Sequence, residues 1–159
     1  MWQKGMRQKG ISTVEFALVG LLFFTLLFGI IEAGRAFFAW NMIEEATRRA
    51  ARIAAVCPFD HSSVRRAAIF EAADGGTESR VLQGMNTGHV SVEYLNMDGA
   101  ATLSYEDAAF VRVAITGYSY QLFFPFSSFT LPDSSTTVPV ESLGYVPEWN
   151  VRTCFGTFG

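Results

Sequence analysis

KGISTVEFALVGLLFFTLLFGIIEAGRAFFAW, residues 9–40, opens on a lysine and a glycine and then runs through a long apolar segment. Phe16 to Ile31 carries no formal charge, and counting from Ile11 the segment reaches roughly the 20 residues that cross a bilayer as a helix. One carboxylate, Glu15, stands just inside its start. On insertion scales a charge at mid-bilayer costs about 2.5–3.5 kcal/mol, less near an interface, and it normally implies a partner.

Upstream, Lys4, Arg7 and Lys9 are the only charged residues of the first ten, and every cation after Lys9 is an arginine. A basic N-terminal flank places that end in the cytoplasm and the chain beyond Ile31 outside the inner membrane. Downstream, no proline interrupts Ile11 to Val56, and Pro58 supplies the stop. The spacing therefore predicts one helix of about 46 residues, near 70 Å long. Its second half is amphipathic: Ala36, Trp40, Ile43, Thr47, Ala50 and Ala54 form a stripe, widened by Ala39, Ala46 and Ile53. Glu45, Arg48, Arg49 and Arg52 fall opposite, and Glu44–Arg48 and Glu45–Arg49 are expected i,i+4 pairs.

The remaining chain reads as mixed. A short helix is expected at Ser62 to Ala73, capped by Ser62 or Ser63, with another turn or two at Glu78 to Met85. Strands are expected at His89 to Leu95 and Phe110 to Thr116, with a third in Tyr118 to Phe126 that ends at Pro125 or lies at an edge. Residues 127–147, rich in Ser, Thr and Pro, read as a loop holding a short strand near Thr137. The aromatics Tyr118, Tyr120, Phe123, Phe124, Phe126 and Phe129 read as core beneath the long helix rather than as a binding groove. The tail, with Trp149, Cys154, Phe155 and Phe158, is expected to fold back over the sheet, with Cys57 stapling it to the end of the helix. The fold class is α+β: a long N-terminal helix, membrane-spanning in its first half, packed on a small antiparallel sheet. The chain divides into a basic leader (1–10), the helix (11–56, transmembrane to about 31) and an exoplasmic globular region (57–159).

Two cysteines, Cys57 and Cys154, are too far apart for a CxxC motif. In an oxidising compartment they read as one structural disulfide, the alternative being two buried free thiols. Half the residues are hydrophobic and the mean hydropathy is +0.23, high for a soluble domain, while the net charge of −3 and the lack of a basic patch exclude nucleic acid. His61 and His89 stand alone, no serine lies in a GxSxG elbow, and Gly75-Gly76 lacks the lysine of a phosphate loop. Asp60, Asp74, Asp98 and Asp133 lie in turn-like contexts and read as turn and cap residues rather than calcium ligands. Neither a cofactor nor a metal is expected, and the chain does not read as an enzyme.

Three readings of residues 1–33 compete. A secretory signal cut after Ala33 would release a soluble protein, but Ile31 fits a small-residue cleavage site poorly. An uncut signal anchor, carrying an exoplasmic binding module, explains the charges and leaves Glu15 costly. In the third, a cytoplasmic-side peptidase cuts between Gly10 and Ile11. The freed α-ammonium, its own or a neighbouring subunit's, then pairs with Glu15.

The order Lys9-Gly10, Ile11 to Val14 and Glu15-Phe16-Ala17-Leu18-Val19 resembles the processing region of prepilins, and more narrowly the TadE-like proteins, minor pilins or pseudopilins of tight-adherence systems. The likeness continues through Gly29-Ile30-Ile31-Glu32-Ala33-Gly34-Arg35 and EEATRRAARIAAV (44–56), about the first third of the chain. Many TadE-like proteins carry a proline where this chain has Gly20-Leu21, so a fixed kink is not implied. The resemblance implies a pilin-like subunit cut after Gly10 by a prepilin peptidase. Its implied partners are other pilin subunits, the pilus assembly machinery and the membrane. Its place is the inner membrane, with the head outside the cytoplasm, or a cell-surface pilus. Glu32 and Arg35 read as anchors at the outer membrane boundary, with subunit pairing left open.

Overall fold

A computed structural model of the protein describes residues 11–71, 75–123 and 127–154. One helix, α1, runs without a break over Ile11–Val56. Gly20, Gly29 and Gly34 all lie within it, and a methyl group at any of them would meet nothing within 4 Å, so none marks a close approach. The helix divides by environment. From Ile11 to Ile31 its large apolar side chains are exposed, Phe16 at 81%, whereas Ala39, Ile43, Ala46, Thr47, Ala50, Ala51, Ala54 and Ala55 are buried. The buried face is rotated from the stripe read in the sequence. Trp40 lies outside, stacked on Phe37, and Ala51 and Ala55 take inner positions. Alanine dominates that face because the sheet lies close against it, leaving no room for an indole.

The sheet has the order β1 (Val90–Leu95), β2 (Phe110–Ile115), β5 (Ser134–Pro139), all antiparallel. Val111, Val113 and Ile115 of the central strand are fully buried under α1, with Val113 opposite Val92 on one side and Thr136 on the other. Both α1 and β1 are also packed by α2 (Ser62–Ala68).

Several expectations are corrected by this architecture. The cap of α2 is His61, whose Nδ1 accepts from the Ser63 amide at 3.3 Å. The helix stops at Ala68 instead of continuing to Ala73. Phe70 adopts a left-handed φ of 61°, its amide bonds Ala67 O and that of Glu71 bonds Arg66 O. This is a Schellman stop with phenylalanine where glycine is usual. The ring, packed on the core under Arg49, holds the backbone there, and Glu45 pairs with Arg48 at 3.3 Å instead of Arg49. Glu78 to Met85 forms no helix. The Ser79 hydroxyl accepts from the Val81 and Leu82 amides, and Glu78 bridges to Asn86, closing a loop over buried Leu82 and Met85.

The third strand of the sheet is β5, which contains the short strand expected near Thr137 in a segment otherwise read as loop. The expected strand at Tyr118 to Phe126 is shorter and lies elsewhere. β3 (Ser119–Gln121) and β4 (Ser128–Thr130) make a separate ribbon inserted between β2 and β5. Its base is closed where the Gly117 amide donates to Asp133 Oδ1 (3.2 Å) and the Leu131 amide to Tyr118 O (3.0 Å). Among its described aromatics, Tyr118 and Tyr120 are core. Phe123 is 73% and Phe129 42% exposed, and Phe124 and Phe126 lie outside the described residues.

The described part of the tail is stapled to the end of α1, as expected, through Cys57. Cys57 and Cys154, both buried, form a disulfide. The Glu141 amide bonds Ala55 O, and a second ribbon pairs β6 (Tyr145–Val146) with β7 (Val151–Arg152). Gly144 turns this segment at φ +75°, where a Cβ would meet Thr153 O at 2.5 Å and Pro58 Cδ at 2.6 Å. Arg152 lies 3.9 Å over Tyr105, which stacks on Phe59, which stacks on Tyr94. Trp149 is exposed, and Phe155 and Phe158 lie outside the described residues.

Candidate assembly interface and membrane exit

Two places on α1 carry the residues singled out by the sequence. The first is its beginning. Ile11 and Glu15 are one helical turn apart, on the same side of an exposed helix, about 6 Å along the axis. The Glu15 side chain makes no hydrogen bond or ion pair with any described residue, and Gly10, with the leader cations Lys4, Arg7 and Lys9, lies outside the described residues. The most apolar eighteen-residue window of the helix has a mean hydropathy of 2.5 and none of it is buried within the molecule. Such a surface demands either lipid or other apolar helices. By length and composition α1 can anchor the chain in a membrane. Thr25 causes no penalty there, because its hydroxyl donates to Leu21 O at 2.7 Å.

The second place is where the exposed segment ends. Glu32 is not a free interfacial charge. Its carboxylate accepts from Arg35 Nη1 at 2.8 and 3.1 Å, from the Tyr120 hydroxyl at 3.0 Å and from the Phe123 amide at 3.3 Å. Arg35 in turn lies over the rings of Phe123 (5.1 Å) and Tyr120 (5.8 Å). Side-chain exposure is 13% for Glu32 and 43% for Arg35, so the acid is covered and the cation half open. The clamp ties the β3–β4 ribbon to α1. The clamp lies about 22 Å along the helix from Thr47, whose hydroxyl meets Thr136 of β5. Sequence reading had both charges at this boundary but not the tyrosine that joins them. No local pattern links positions 88 residues apart.

The other titratable candidates have structural uses. His89 Nδ1 accepts from the Asn86 amide in a capping box, Asp60 pairs with Arg65 at 2.8 Å, and Asp133 closes the ribbon base. Asn96, rather than Asp98, holds its turn, accepting from the Asp98 and Ala100 amides. Asp74 lies outside the described residues. Among the described residues no group of three or more His, Cys, Asp or Glu could hold a metal.

A long helix with a bare apolar start, one carboxylate in its second turn and a head packed on its far half sets the comparison with known proteins. Residues 10–52 match the TadE-like protein family. The match covers most of α1 and stops short of the head. No curated protein and no solved structure gives a significant match to the chain. The TadE-like match, together with the apolar helix, fits a protein of tight-adherence pilus systems.

Proposed function

We propose that the chain is a minor pilin or pseudopilin of a tight-adherence-type pilus, made as a membrane-inserted precursor and cut after Gly10 by a prepilin peptidase. Residues 1–10 are the cytoplasmic leader, α1 crosses the inner membrane to about residue 31, and residues 57–159 form the head outside the cytoplasm. The observation that carries this reading is the TadE-like match over an exposed apolar helix whose one early carboxylate, Glu15, has no partner among the described residues. Cleavage creates the missing partner. The α-ammonium of Ile11, on the same subunit or a neighbour, neutralises Glu15 in an apolar surround, where charge pairing is strong and position-selective. The mechanism is packing: apolar helices bundle, and the pair sets their register. The partners are the peptidase, other pilin subunits, the assembly machinery and the membrane.

Mass spectrometry of the mature protein is expected to find Ile11 at the N-terminus. An intact Met1 supports instead an uncut anchor carrying a binding head, and a start at Gly34 a secreted protein. Glu15→Ala is expected to insert into membranes normally and to be lost from sheared fibres. Normal incorporation of that variant would remove the pairing role.

A further inference from the structure

The membrane exit has an unexplained feature: Phe123 is held out of the core, at the lower end of the ribbon, by a bond between its own amide and Glu32. Beside it a groove of about 860 Å3 runs along one face of α1, lined by Leu21, Phe24, Phe28, Glu32, Arg35 and Phe123. The groove is apolar along most of its length and charged only at its upper rim. Its upper rim carries the half-exposed guanidinium of Arg35, and Phe28 and Phe24 lie about 6 and 12 Å below Glu32, inside the apolar span. The Arg35 guanidinium is paired with Glu32 but half open, so its remaining N–H groups can donate to a phosphate above the apolar channel, with an acyl chain below. The channel wall is continuous with the helix surface that requires lipid.

We infer that the β3–β4 ribbon is a membrane-interface element. The Phe123 ring enters the outer leaflet beside Phe28. The groove between them takes a phospholipid acyl chain, and Arg35 and Tyr120 sit at headgroup level. Aromatic side chains with a polar neighbour favour this depth. The head is thereby seated on the bilayer at a second point besides α1. The inference rests on the reading that α1 spans the membrane in the precursor or the stored subunit, and its test separates the two.

The full chain, with Trp2, Trp40 and Trp149 changed to Phe, is reconstituted in phosphatidylglycerol–phosphatidylcholine vesicles with or without acyl-brominated lipid. A single tryptophan is placed by Phe123→Trp, Phe28→Trp or Leu103→Trp, the last a head position that is 91% exposed. Brominated lipid is expected to quench the Phe123→Trp variant nearly as strongly as the Phe28→Trp variant, with blue-shifted emission from both, and to leave the Leu103→Trp variant unaffected. Quenching at position 28 but not 123, with red emission from 123, overturns the inference and leaves the membrane reading standing. Blue-shifted emission at 123 without quenching also overturns it, since a protein surface such as a second copy then covers the ring. Absence of quenching at 28 removes the membrane reading and the inference together.

Discussion

Tyr94 shows how a single buried group sets a pH limit on the head. Its ring is 5% exposed, stacked on Phe59, and its hydroxyl finds no hydrogen-bond partner among the described residues. Burial, with smaller contributions from Tyr105 and Asp60, pushes the phenol from its ordinary 10 up to about 12. Because the folded value lies above the unfolded one, the neutral phenol favours the fold fully below pH 10. That contribution is lost as pH rises from 10 through 12. Tyr94→Phe removes an unpaired buried hydroxyl and is expected to stabilise the head by about 1 kcal/mol at neutral pH. It should also flatten the fall in melting temperature between pH 10 and 12, both readable by circular dichroism. A steeper alkaline fall in the variant would contradict this. At the same scale, Glu15 was legible from sequence because a charge inside an apolar run violates a local rule. Glu32 was legible only as a boundary charge, since Tyr120 and Phe123 reach it through the tertiary fold.

Elements were legible where one residue type repeats at the period of the structure. The helix Ile11–Val56, and strands Val90–Leu95 and Phe110–Ile115, carry that signal in alanine, valine and isoleucine. β5 hid its alternation, because its inward residues Ser134 and Thr136 are polar and look like loop. Their polarity is matched across the interface. Thr47 Oγ1 lies 2.9 Å from Thr136 Oγ1 and 3.5 Å from Ser134 Oγ, so the weakest apolar member of the α1 stripe is its link to the edge strand. Thr47→Val keeps the shape but strands the Thr136 hydroxyl, and is expected to cost about 1–3 kcal/mol. The double variant Thr47→Val, Thr136→Val is expected to recover part of that loss, as denaturant midpoints of the detergent-solubilised chain will show. Strict additivity would mean that the two hydroxyls do not interact. β3 lies within the strand expected at Tyr118 to Phe126, but its partner β4 and the β6–β7 ribbon escaped sequence reading for another reason. Strands of two or three residues are too short to show a period, and their places are set by Glu32, Asp133 and the disulfide.

Across the whole molecule the Cys57–Cys154 bond joins residues 97 apart and fixes the tail to the end of α1. In the chain-entropy view such a loop stabilises by about 4–5 kcal/mol. The Cys57→Ser, Cys154→Ser double variant is expected to unfold at markedly lower denaturant, and reductant should shift the parent chain towards it. An unchanged midpoint in both would show that the surrounding contacts suffice alone. The head is thus fastened to α1 from the Glu32 clamp to the disulfide, about 37 Å apart along the helix, with the buried alanine face and Thr47 between them. That spacing has a mechanical consequence. Tension that draws the helix lengthwise reaches the head through Glu32 first, and the head moves with the helix as one body.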